Sequence, residues 1–254
     1  MTVHRMAGLV AAAAWILCGS PAWAGIDAVR GPVPSTPENP LFGPADFPGA
    51  RLGIALKPFG YVEEEYFLSG TAAAYEHGPQ GPKARTGPLP YTTRILIRRP
   101  ADPARFSGVV HFEPVHPTQG YNGHWLVLAR YLMSRGDVYV FAGVGDAGKG
   151  WSGSPKFPPE SGPIGHNRIL QWFNPERYAS IRWPEEEGIR YELMGDIGRK
   201  LRGTDADNPL RQYPVKAMLV GGWSYTGSIQ RTYINEGFHE RIRLPDGRPV
   251  FDGY

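Results

Sequence analysis

The residue of this chain best suited to chemistry is the serine of Gly222-Trp223-Ser224-Tyr225-Thr226. The apolar run Val215 to Gly221 before it reads as a buried strand. The run Gly227 to Arg241 after it reads as a helix, because Ile229, Tyr233, Ile234 and Phe238 recur at helical spacing. A serine in a sharp turn between a strand and a helix is a nucleophile elbow. The turn lifts the hydroxyl to the C-terminal edge of a sheet and aims the next N–H, that of Tyr225, at the oxyanion that forms when the serine oxygen adds to a carbonyl carbon. Gly222 relieves crowding in such a turn. The pattern is G-x-S-x-T, so Thr226 puts bulk at a tight spot. The competing role for Ser224 is a helix cap, whose hydroxyl accepts a bond from a first-turn N–H.

A hydrolytic serine also needs a second oxyanion donor and a base. The strand Gly108 to Phe112 ends in Glu113-Pro114-Val115-His116, and the loop after such a strand is where the second N–H arises, which places it at or near Val115. His111, His116 and His124 lie close together in sequence. His111 reads as a hydrogen-bonded core histidine, and nothing in the spacing forces the three onto one metal ion. Gly143 to Gly148 matches G-x-G-x-x-G after a strand, but the Lys149-Gly150-Trp151-Ser152-Gly153-Ser154-Pro155 that follows is no helix, so no phosphate site is expected. Ser152 follows a loop and lacks an elbow. No cofactor and no metal are expected.

The elements that would position these residues alternate. Glu63 to Leu68 and Thr71 to Tyr75 read as a strand pair about Ser69-Gly70, and Thr92 to Arg98 as a further strand. From residue 107 the order is strand, helix (Asn122 to Ser134), strand (Asp137 to Ala142), helix, strand, elbow helix and a last strand starting at Val250. The second helix opens at Pro184 with Glu185, Glu186 and Glu187, closes with Arg199, Lys200, Arg202 and Gly203, and buries Ile189, Leu193, Ile197 and Leu201. This order predicts an α/β fold: a mostly parallel sheet with helices on both faces and an antiparallel N-terminal edge. Residues 25–60, 78–90 and 143–183 read as loops. Trp151, Trp172, Phe173, Tyr178 and Trp183 make the last of these either an aromatic lid or a self-packed loop.

The 254 residues carry a net charge of only +3, with lysine and arginine scattered, so no nucleic-acid surface is expected. Residues 1–24 read as a signal peptide. His4 and Arg5 precede the apolar Met6 to Cys18, and Pro21-Ala22-Trp23-Ala24 ends in a small-x-small cleavage pattern. The apolar run is too short to span a bilayer, and no later one is longer. The expected mature chain, 25–254, is one domain, periplasmic or secreted. It has no thiol, because Cys18 is the single cysteine.

Tyr61-Val62-Glu63-Glu64-Glu65-Tyr66-Phe67-Leu68-Ser69-Gly70-Thr71-Ala72, Glu176-Arg177-Tyr178-Ala179-Ser180-Ile181, the elbow and Phe251-Asp252-Gly253-Tyr254, taken in order, resemble the exported bacterial alpha/beta hydrolase domain proteins. The resemblance implies an α/β-hydrolase-like fold with Ser224 as nucleophile. The triad order of that fold is serine, then acid, then histidine. Only thirty residues follow Ser224. His239 and Glu240 on the elbow helix should point away from the nucleophile, and Asp252 belongs to a strand barely begun. The expectation is therefore the N-terminal part of a serine hydrolase acting on a small ester, less readily an amide, cut short after the elbow helix. The rival expectations are an inactive truncated hydrolase and a non-catalytic ligand-binding module.

Overall fold

The structure is a computed structural model and describes residues 25–43, 54–116, 123–145, 166–184 and 186–254. Residues 1–24, read above as a signal peptide, residues 146–148 of the glycine-rich match, Trp151 and Ser152 lie outside them. Six strands form one sheet: β1 (Gly25–Arg30), β2 (Tyr61–Gly78), β3 (Gly81–Pro100), β4 (Val109–Pro114), β5 (Val138–Ala142) and β6 (Ala217–Val220), ordered β1-β2-β3-β5-β4-β6. The pairs from β1 to β5 across β3 are antiparallel, whereas β4 pairs parallel with both β5 and β6. Beyond β6, Gly253 bridges Leu219 in parallel, so Val250–Tyr254 begins the next strand position.

Helices α1 (Gly123–Arg135) and α2 (His166–Phe173) cover one face; α3 (Arg190–Arg202), α4 (Tyr225–Asn235) and α5 (Phe238–Arg241) cover the other. The sheet residues alternate between these layers. Ile95, Ile97, Phe112 and Val140 meet α3 and α4, while Leu96, Tyr139 and Phe141 meet Trp125 and Leu132 of α1. The expected stripe Ile189, Leu193, Ile197, Leu201 is buried in full, each side chain contributing about 1.5–3 kcal/mol by leaving water.

Several boundaries differ from the sequence reading, each for a local reason. β2 runs unbroken through Ser69-Gly70. Gly70 is glycine because a Cβ there would lie 2.0 Å from the Gly25 carbonyl oxygen of β1; it serves a close strand approach, not a turn. Residues 78–90 form the far end of the β2–β3 hairpin, whose turn uses Gly81 at φ +98°. The 25–60 stretch contributes β1 to the sheet edge, and the 143–183 stretch contains α2. Upstream of α3, Glu186 accepts the Gly188 N–H at 3.0 Å and opens a 3₁₀ turn, so the α-helix begins at Arg190 rather than at Pro184. The elbow helix breaks at Gly237, φ 74°, into α4 and α5, and Ile234 faces solvent.

An ionic cluster lies under α2. Glu65 of β2, fully buried, accepts bonds from Arg177 Nε at 2.6 Å and from the Tyr178 hydroxyl at 2.8 Å, and pairs with Arg94 of β3 at 2.8 Å. Arg177 also donates to the carbonyls of Val33, Pro34 and Asn39, and Arg94 to that of Phe42 at 2.7 Å. Both arginines thus fasten residues 33–42 to the sheet. Removing one partner leaves a buried charge unpaired. Arg177→Met should lower unfolding free energy by about 3–5 kcal/mol, measured by urea titration of the mature chain; a loss below about 1 kcal/mol would show the cluster to be idle.

Candidate active site

β6 ends at Val220, and its pairing with β4 continues through the Gly221 N–H, which donates to the Phe112 carbonyl at 2.9 Å. The chain then turns sharply into α4. Ser224 sits in the turn at φ 52°, ψ −118°, the one non-glycine residue at positive φ among the described residues. Such a conformation costs on the order of 1–3 kcal/mol, so neighbouring contacts must hold it. Gly222 permits the turn, since a Cβ there would lie 2.1 Å from Gln230 Nε2 and 2.7 Å from Thr226 Oγ1. Thr226 is not a misfit. Its buried hydroxyl accepts the Trp223 N–H at 2.8 Å and donates to the Trp223 carbonyl at 2.9 Å, clasping the elbow across its mouth. Ser224 is exposed and its hydroxyl makes no capping bond to α4. The cap role is therefore excluded.

Tyr225 opens α4, so the helix ladder itself offers no acceptor for its N–H. Its ring is fixed from two sides. Arg190 of α3 donates to its hydroxyl at 3.2 Å, with the guanidinium carbon 5.6 Å from the ring centroid, and the His116 ring lies 5.9 Å away. Arg190 is buried, pairs with Glu187 and donates Nε to the Glu187 carbonyl at 3.0 Å. The sequence reading missed Arg190, which looked like an ordinary residue of the helix's first turns.

The donor expected at Val115 is a correction. Val115 is fully buried and its N–H already donates to the Ala142 carbonyl at 2.7 Å, extending the β4–β5 ladder. The Val115 N–H is therefore not available as an oxyanion donor, and the next N–H along the loop is that of His116. Pro117 has no N–H to give. Burial lowers the His116 imidazole pKa, which keeps the ring neutral near pH 7.

The other two histidines form a half-buried file. His124 Nε2 lies 3.4 Å from His111 Nδ1, and His111 Nε2 lies 3.2 Å from Asp137 Oδ2, with Ser107 Oγ donating to the same carboxylate at 2.6 Å. His111 is thus the hydrogen-bonded core residue expected. His124 packs on the approach to the elbow: a Cβ on Gly221 would lie 2.1 Å from its Nδ1. Its pKa is lowered to about 4, first by burial and then by His111. Glu113, at the end of β4, takes the N–H groups of His124 and Trp125 at 3.0 and 3.3 Å and the Tyr139 hydroxyl at 2.5 Å, and so orients the start of α1.

The remaining sequence candidates lie elsewhere. His239 bonds the Tyr254 hydroxyl at 3.0 Å, and Asp252 accepts the Met218 N–H at 2.7 Å and pairs with Arg202, so both are occupied. Phe173 packs edge-on against Phe42 at 5.2 Å and Tyr178 is fully buried on Glu65, so these aromatics build the α2 core rather than a lid; Trp172 is exposed. Among the described residues no group of three or more His, Cys, Asp or Glu could hold a metal ion, and no helix is long and apolar enough to cross a membrane.

Residues 29–254 match the alpha/beta hydrolase domain family. The chain belongs to that family. No curated protein matches it. Membership suggests hydrolase activity and fits the parallel strands β5, β4 and β6, the last of which leads into the elbow.

Buried ionisable groups make the domain pH-sensitive. Burial pushes Glu113 up to about 7 from 4.5, and Asp196 up to about 7 from 3.8. In the window up to pH 7 the unfolded chain has released these protons and the native state retains them, so stability falls as pH rises. The lowered His124 acts oppositely between 4 and 6.5, because there the unfolded chain holds the extra proton. Glu192, also raised by burial, adds to the fall and His116, also lowered by burial, opposes it, so three groups outweigh two. The urea midpoint should drop between about pH 5 and 7, and Glu113→Gln should flatten that drop; an unchanged slope would contradict the assignment.

Proposed function

We propose that this alpha/beta hydrolase acts through Ser224 on a small carboxylic ester, less readily on an amide. The serine oxygen adds to the carbonyl carbon, the alcohol leaves and an acyl-enzyme forms, which water then hydrolyses. The N–H of Tyr225, and one from the loop at His116, would stabilise the oxyanion. The observation that carries this reading is the strained, exposed Ser224 between β6 and α4, held by a clasp that leaves its own hydroxyl out of the helix cap.

The serine must also lose a proton. His116, whose ring touches that of Tyr225, is the histidine to test as acceptor, since its neutral form can take a proton. A second reading, a cleft that binds esters without turnover, is favoured by a specific point: among the described residues no side chain bonds the Ser224 hydroxyl. A fluorophosphonate separates the two readings. Covalent labelling at Ser224, lost in Ser224→Ala and kept in Ser228→Ala, is expected. Failure to label, with ester binding intact, would leave the binding module.

Turnover of p-nitrophenyl esters by the 254-residue chain should be weak, on the order of 10³–10⁴ over water, the level that oxyanion donors and binding supply without a full triad. His116→Ala should lower it further if the ring is the base. A rate in the normal enzyme range that survives His116→Ala would point to another base.

We also propose export with cleavage after Ala24, supported by the basic, apolar and small-residue pattern of residues 1–24. N-terminal sequencing of the exported protein should begin at Gly25; an intact Met1 on the exported chain would refute this.

A further inference from the structure

Two carboxylates of α3, Glu192 and Asp196, lie near the start of β1, and one oxygen of Asp196 is left without a partner among the described residues. In the antiparallel register Gly25 faces Thr71 and Ile26 faces Gly70, so β1 starts beside Thr71 of β2. Just beyond, the Ala73 N–H of β2 is taken by the Glu192 carboxylate rather than by a β1 residue. Asp196 lies one helical turn further along α3. It is only 5% exposed. Its Oδ1 accepts from Arg199 at 3.0 Å, while its buried Oδ2 has no partner among the described residues. Gly25, Ile26 and Asp196 line one cleft of about 610 Å³. The Tyr91 hydroxyl, on the residue paired with Gly70, is also buried and unpartnered, and its ionisation is opposed first by burial and then by Asp196, Asp27 and Glu192.

We propose that this cleft is a binding site for a primary ammonium, the α-amino group that cleavage after Ala24 creates on Gly25. The group is compact, carries three donors and sits at the one place where β1 meets the α3 carboxylates. Nearby cations have partners of their own: Lys200 pairs with Asp205 and Asp207, Arg248 with Asp246, Arg202 with Asp252 although its Nε stays unpartnered, and Arg199 uses Nε on the Arg243 carbonyl. A metal ion fits less well, because no third ligand of the required type joins the pair among the described residues. Buried carboxylates gain most from a partner that brings both charge and hydrogen bonds. Processing would then complete the charge balance of the β1 edge, and the unprocessed chain, whose residue 25 carries an amide, would lack it.

The proposal rests on the cleavage position, but its test does not need export. Two proteins are made from a cleavable fusion, one beginning at Gly25 with a free amine and one retaining Ala24. Each is made with Asp196 and with Asp196→Asn. The added alanine should lower Tm by about 3–6 °C in the Asp196 background, and by less than about 1 °C in the Asn background. An equal effect in both backgrounds, including none in either, overturns the proposal. Should Asp196→Asn fail to fold, amine reactivity decides. The Gly25 α-amine of the unmodified protein should be acetylated by acetic anhydride at least about ten-fold more slowly than a peptide of its first eight residues, the fold-change expected when a buried charge-assisted bond holds the amine; equal rates overturn it. Exported protein whose N-terminal sequence begins elsewhere than Gly25 would overturn the assignment of the Gly25 amine as the occupant of this cleft.

Discussion

Glu65 organises this domain from its middle. A carboxylate buried completely inside a β-strand is unfavourable unless charge and hydrogen bonds surround it. Here two arginines and a tyrosine do so, and each comes from a different part of the fold. Arg94 comes from the neighbouring strand, while Arg177 and Tyr178 come from the turn after α2. The guanidinium groups have donors to spare, and these bind the backbone carbonyls of Val33, Pro34, Asn39 and Phe42. One buried acid therefore fixes the N-terminal strap, α2 and the antiparallel half of the sheet together. Phe42 and Phe173 then close over the cluster.

The other half of the sheet answers to a different constraint, the crowding at the elbow. Parallel pairing of β6 with β4 carries the chain to Gly221 in extended form, and the turn that follows must fit between His124 on one side and Gln230 on the other. Only residues without a Cβ fit at 221 and 222. The strain this leaves at Ser224 is balanced by the Thr226 clasp and by the first turn of α4. The same geometry takes Ser224 away from capping and turns its hydroxyl outward. Position and chemistry share one cause.

Around the elbow the polar groups are coupled rather than scattered. Glu113 sets the start of α1, which places His124 against Gly221; His124 meets His111, and His111 meets Asp137 at the far end of the strands. Arg190 links α3 to the Tyr225 ring beside Ser224. These contacts make the site a property of several elements at once, so a substitution at Glu113 or Arg190 should act on it without touching a substrate.

Much of this was legible in the chain. The apolar strand, the glycine before the serine and the helical stripe after it placed Ser224 at a strand-to-helix turn, because local spacing and backbone sterics suffice for that. The alternation of strands and helices gave the sheet and its antiparallel edge, and Leu193, Ile197, Ile95 and Ile97 announced their burial by period. What the sequence could not decide depended on partners distant along the chain. Gly70 looked like a turn because nothing local shows that β1 will press against it. Thr226 looked like a misfit because its bond to Trp223 exists only in the folded turn. Val115 looked like an oxyanion donor because its commitment to Ala142 requires β4 and β5 to lie side by side. Glu65, Arg177, Arg190 and Asp196 read as ordinary charges, since only the tertiary structure removes them from water, and it is that removal which obliges each of them to find a partner.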